Sequence, residues 1–325
     1  MRDRQAAIDV FVLAACMAAG TIGLCPRALA QDELSNFARL RGQPSQTLSL
    51  GTGVYFDYPL QKLKDAVPGL KGLQFDSNQD RLPVVLAGVA KRIADVLPKL
   101  PDLVSREDIY HFQSTPGPGE AGGAASAQPW SREFRYLIVP HHAADGTTTL
   151  EESRVDSRGR PAGISDGQLS APQGYGFAYQ WLFFSATFQP EFRFRYLGEQ
   201  EKNGRKTFVV AFAQLPDKVT RPAHFEWDGK VAPFYFQGVL WVDQANFDIV
   251  VVRTDLLAPL TELHLLQLTT QLTFHSVPIH GYNAVFWLPS EAYISSDQGA
   301  GSSEESHRYS DYHLYHAAAT IVPSP

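Results

Sequence analysis

FRFRYLGEQEKNGRKTFVVAFAQ, residues 192–214, decides the fold. Residues 192–200 and 205–214 alternate in two runs about Asn203-Gly204. That dipeptide suits a two-residue type I′ turn, because both central positions need positive φ. Read literally, the turn pairs Tyr196 with Ala211 and Leu197 with Val210. Phe194, Tyr196, Ala211 and Ala213 are then expected on one face, and Arg193, Arg195, Val210 and Phe212 on the other. A mostly apolar face opposite a mixed one marks an antiparallel sheet covered on one side.

The same period of two continues on both sides. Downstream, residues 239–243 and 248–255 read as a second hairpin bent around 244–247, with Asp243 serving the bend. Residues 265–277, 285–295 and 305–316 follow as strands. Upstream, strands are expected over 107–112, 134–139 and 149–155. The low-complexity run TPGPGEAGGAASAQP (115–129) reads as a long hairpin loop rather than a domain boundary. Residues 157–176 are loop-like, and the aromatic stretch 177–188 has no assigned type. Before Ser105 the period is helical. Leu82, Val85, Leu86, Val89, Ile93, Val96 and Leu97 recur at three- and four-residue steps, with Asp80 as the expected N-cap, Pro83 in the first turn and Pro98 as the stop. A shorter helix is expected over residues 60–66. The reading is α+β: an N-terminal helical segment (31–104), then a mostly antiparallel sheet of about ten strands (105–325).

Composition narrows the function classes. Of 325 residues, 44% are hydrophobic, 12% aromatic and 19% charged, as in a globular protein and not a disordered one. Lys+Arg 28 against Asp+Glu 34 gives a net charge of -6, which argues against nucleic acid as a partner. Residues 1–30 read as a cleaved signal peptide: Arg2 and Arg4, an apolar run over 10–25, and Ala28-Leu29-Ala30 as the exit. Leu13-Ala14-Ala15-Cys16 also matches a lipobox. The expected location is periplasmic or secreted, and cleavage after Ala30 removes both cysteines.

Gly238-Val239-Leu240-Trp241-Val242-Asp243, followed by a return strand ending in Arg253-Thr254-Asp255, resembles the hairpin of the lipoprotein-localisation carriers (LolA/LolB-like). FRYLG (194–198), VVAFAQ (209–214), RTDLLAP (253–259) and HRYSDY (307–312) resemble exported bacterial proteins of unassigned function in that half-barrel superfamily. The resemblance spans roughly residues 105–316. It implies an open, strongly curved antiparallel sheet, closed on its concave side by helices around a greasy cavity.

Catalytic chemistry finds less support. Gly163-Ile164-Ser165-Asp166-Gly167 matches a nucleophile pattern, but loop-like flanks replace the strand and helix that the motif needs. His307, Asp311 and His313 are the best metal candidates, on a face that Tyr309 and Tyr315 make a polar, half-exposed sheet surface. His141-His142 diverge on a strand, and His275 and His280 fit no ligand spacing. Glu151 and Glu152 point to opposite faces. The expected function is therefore a non-catalytic, cofactor-free protein that binds a lipid, lipidated peptide or other hydrophobic molecule in the concavity, with a membrane or envelope protein as a further partner. The expected ligand-binding residues are Phe194, Tyr196, Val239 and Trp241 on the wall, Phe183 and Phe184 as lid, and Arg195 and Arg253 at the mouth. Two rivals stay open: an interaction protein with a filled core, and a hydrolase or metalloenzyme.

Overall fold

The computed structural model describes residues 54–115, 126–144, 148–161, 177–279, 282, 285–299 and 301–315. The signal-peptide and lipobox residues, Ser165 and His280 lie outside them. Among the described residues, two helices, α1 (Leu60–Ala66) and α2 (Leu82–Val96), accompany thirteen strands. The strands are β1 (Gln74–Phe75), β2 (Leu103–Thr115), β3 (Ser126–His142), β4 (Thr148–Val155), β5 (Phe192–Lys202), β6 (Arg205–Gln214), β7 (Ala223–Trp227), β8 (Lys230–Phe234), β9 (Phe236–Asp243), β10 (Ile249–Leu256), β11 (Gln267–Pro278), β12 (Val285–Asp297) and β13 (Ser302–Leu314). Eleven form one antiparallel sheet in the order β1-β5-β6-β9-β10-β11-β12-β13-β2-β3-β4, and β7-β8 is a separate hairpin. The sheet is an open half-barrel, since β1 and β4 do not meet. β2 and β3 pair out to Thr115 and Ser126, so the expected loop over 115–129 is too long at its ends: Thr115 belongs to β2 and 126–129 to β3.

Curvature follows from what α2 touches. A flat sheet would set β5 and β3, eight spacings apart, about 38 Å from each other. Yet α2 contacts β5, and the 3-10 turn that follows it (Leu97–Lys99) contacts β3. Helix and turn together span about 28 Å, short of that separation, in keeping with a sheet curled around them. Register shifts in β5, β10, β12 and β13 mark β-bulges, which sharpen twist and bend.

Val85, Val89 and Ile93 form the buried stripe of α2, at the four-residue spacing of one helix face. Gly88 lets the helix approach closely: a Cβ there would lie 2.4 Å from the Phe247 ring. The expected cap is displaced, because the helix starts after Arg81 without a side-chain cap and Pro83 occupies its first turn. On the opposite, convex face, residues 54–73 lie over the sheet. Tyr55, Leu63, Val67 and Leu70 pack there against Leu197, Val209, Val239 and Trp241. The outer edge of β5 is closed by β1 and by Gln79, whose side-chain amide donates to Tyr196 O (3.0 Å) and accepts from Tyr196 N (2.8 Å), as a neighbouring strand would.

The expected β5–β6 register holds from Lys202↔Arg205 to Gly198↔Val209 and then slips by one. A bulge at Leu197 pairs Tyr196 with Val210 and Arg195 with Ala211. Gly198 permits it, with φ +125° and its Cα against Gln74 O, where a Cβ would sit 2.0 Å away. The expected faces are thereby corrected. Phe194 and Tyr196 share theirs with Val210 and Phe212, while Arg193 and Arg195 stand beside Ala211 and Ala213.

Candidate functional site: the covered concave face

The concave wall is one apolar surface running from Phe192 and Tyr196 on β5, through Phe212, Leu240, Val252, Leu272 and Leu288, to Tyr309 and Tyr136. Among the described residues, α2 and two short pieces cover it. The first is the aromatic stretch, which folds as a seven-residue 3-10 helix, Ala178–Phe184. Phe184 stands edge-on to Phe212 at 5.0 Å between ring centres, and Phe183 meets Phe236 at 5.2 Å. Gln189 ties this segment to α2 by donating to Phe184 O and Leu86 O, each at 2.9 Å. The second piece is the β7–β8 hairpin, which contributes Phe225 and Phe234. Between the two covers lies a cavity of about 60 Å³ lined by Gln180, Phe183, Ala223, Phe234, Phe236, Thr254, Asp255, Leu256, Leu268 and Thr270. That is room for a few water-sized groups and not for an acyl chain.

Of the expected site residues, Phe183, Phe184, Phe194 and Tyr196 come together here. Val239 and Trp241 do not. They belong to the convex core, where the Trp241 indole N–H donates to Gln200 Oε1 at 3.0 Å and Gln200 in turn donates to Gly69 O and Lys71 O. The two arginines are also convex. Arg195 donates to Phe56 O (3.1 Å) and Tyr58 O (2.8 Å), fastening the N-terminal segment. Arg253 forks onto Asp255 at 2.8 and 2.9 Å, and Thr269 donates its hydroxyl to the same carboxylate at 2.5 Å. Asp243 serves its bend as expected, accepting from Ala245 N at 2.7 Å.

At the β13–β2–β4 end, the concave face carries charges that sequence reading missed. Glu107 accepts from Arg154 (2.5 and 2.9 Å), from the Tyr309 hydroxyl (2.8 Å) and from His307 Nδ1 (2.9 Å). The other His307 nitrogen faces Glu305 at 3.4 Å, and Glu305 meets His111 at 3.0 Å. Glu107, His307, Glu305 and Arg154 are 0, 0, 1 and 5% exposed, so neutralisation has to come from within the cluster. Burial alone would raise the Glu107 carboxyl, but the Arg154 charge and the hydrogen bonds from His307 and Arg154 outweigh it and hold it down to about 2. Glu305 is likewise held at about 2, by His111 and His307 against burial. Burial would lower His307, and the hydrogen bonds to Glu107 and Glu305 reverse that and raise it.

This placement corrects the expected half-exposed face on β13. β13 lies inside the sheet between β12 and β2, so His307 and Tyr309 face the core. A bulge containing Asp311 (φ 54°) leaves His313 exposed on its own, Nδ1 against Asp311 O at 2.7 Å. Among the described residues no group of three or more His, Cys, Asp or Glu is arranged to hold a metal. The only available signal for the ionic cluster was Glu107 and His111 on one strand and Glu305 and His307 on another, each spaced by two or four. Only the β13–β2 register brings them into contact.

No known protein family matches the chain, and no curated protein does. Solved structures do. A domain from Vibrio parahaemolyticus assigned to outer membrane lipoprotein sorting is 18% identical with a TM-score of 0.35, over 70% of this chain and 90% of that one. A DUF1329 family protein from Desulfovibrio piger is 12% identical with a TM-score of 0.35, over 74% of this chain and 95% of that one.

Proposed function

We propose that the chain is an exported, non-catalytic binding protein that takes one hydrophobic molecule, such as a lipid or a lipidated peptide, against the concave face. The observation that carries this reading is the cover. An apolar wall spanning most of the sheet is closed beside α2 by a seven-residue 3-10 helix and a two-stranded hairpin, neither of which belongs to the sheet. Such pieces hold few backbone hydrogen bonds and open at lower cost than the sheet itself.

The cavity admits a ligand only if the cover lifts. Exposing a large apolar side chain costs about 1.5–3 kcal/mol. Burying an acyl chain returns about 0.8 kcal/mol per CH₂. A long single chain therefore offsets the displacement of Trp181, Phe183 and Phe184, whose rings can pack again on the ligand. Ligand transfer to or from a membrane or envelope protein completes the proposed role, with residues 1–30 directing export.

The small resting cavity supports a second reading, an interaction protein with a permanently filled core. Uptake of a dye-tagged long-chain alkyl amide separates the two. Saturable uptake of one probe per chain is expected, with Leu256→Trp, which fills the cavity from its rim, weakening it about tenfold or more at unchanged stability. Absence of saturable uptake by the unaltered chain would leave the filled-core reading.

A further inference from the structure

Resting on that reading, we infer that the cavity between the two covers seats an uncharged polar headgroup, so that the ligand is a neutral single-chain amphiphile, a long-chain alcohol or monoacylglycerol, and not a fatty acid or phospholipid. Phe183, Phe236 and Leu268 give the cavity apolar walls. Three neutral hydrogen-bonding side chains converge among them. Thr254 and Thr270 stand opposite each other across β10 and β11. Gln180 reaches in from the 3-10 helix, and its side-chain oxygen is buried without a hydrogen-bond partner among the described residues.

A buried amide oxygen without a donor is costly, and a ligand hydroxyl supplies the missing partner. A hydroxyl both donates and accepts, so it satisfies either orientation of the Gln180 amide and the threonine hydroxyls beside it. Among the described residues, no lysine, arginine or histidine lines the cavity. Arg253, close in sequence, lies on the convex face with its guanidinium held by Asp255. A carboxylate or phosphate seated here would be buried with no counter-charge. About 60 Å³ suits a headgroup of a few heavy atoms, while the alkyl chain takes the place of the covering side chains.

The test is displacement of the alkyl amide probe from the lipid-stripped chain by tetradecanol, monomyristoylglycerol and tetradecanoate, at about pH 8 where the acid is ionised. The two neutral ligands should displace it at concentrations at least about tenfold lower than tetradecanoate. Thr254→Val with Thr270→Val should weaken tetradecanol about tenfold while leaving tetradecanoate unchanged. If that variant fails to fold, the ranking on the unaltered chain decides. Tetradecanoate binding as tightly as the alcohol overturns the headgroup inference and leaves the binding reading standing. No saturable displacement by any of the three, with no probe uptake, overturns both.

Discussion

Replacing Glu107 by Gln is expected to lower the unfolding free energy by about 3–5 kcal/mol, or roughly 5–8 °C in Tm for a chain of this size. The carboxylate bonds both Arg154 and His307, at 2.9 Å to each, and all three side chains are buried. The amide keeps the shape and removes the negative charge that the buried Arg154 guanidinium faces. Glu107→Leu combined with Arg154→Met removes both charges together, and the pair should cost less than Glu107→Gln alone. Urea unfolding of the three proteins measures this. A loss below about 1 kcal/mol for Glu107→Gln would contradict the assignment of the cluster as a closed ionic unit.

The cluster also sets a pH dependence. Glu107 and Glu305 fall from 4.5 to about 2 on folding, so their contribution is present above 4.5 and lost as pH drops through about 2. His307 is raised above 6.5, so its contribution is complete below 6.5 and lost as pH climbs through the raised value. Stability from this cluster therefore peaks between 4.5 and 6.5, and Glu107→Gln should flatten both limbs.

The second large effect is expected at Gly238, the glycine that opens the Trp-Val-Asp hairpin. A Cβ there would lie 1.9 Å from Arg253 O and 2.7 Å from Phe212 Cζ. The side chain could yield, but the carbonyl belongs to the neighbouring strand. Gly238→Val should therefore cost about 3 kcal/mol or more and leave little soluble folded protein, and Phe212→Leu should not rescue it. Gly204→Asn is the control, because that position has φ +72° with nothing within 4 Å of a Cβ, and asparagine tolerates the left-handed region. Thermal unfolding of both variants checks the contrast. A near-neutral Gly238→Val would mean that β9 and β10 are not packed as described.

Most of the architecture was legible because hairpins announce themselves locally. Asn203-Gly204, the bend at Asp243 and the strictly periodic α2 stripe each follow from neighbours in sequence. The bulge at Leu197 did not announce itself. It depends on Gln74 O crossing over Gly198 from a segment more than a hundred residues away, and that one inserted residue exchanged the faces of Ala211 and Phe212. Face assignment failed at Val239 and Trp241 for a related reason. Both faces of β9 are buried, one by α2 and the aromatic cover and the other by residues 54–73, so alternation carries no contrast there. The arginines were legible as costly cations within a sheet, and only the structure shows that Arg195 and Arg253 serve convex contacts.

Native mass spectrometry of the full chain purified from an exported fraction, with organic extraction of any bound molecule, tests the central claim most directly. The account predicts a population heavier than the bare chain by one small hydrophobic molecule, released by organic solvent and regained on incubation with a long-chain alcohol. Only the bare mass, before and after that incubation, would contradict it.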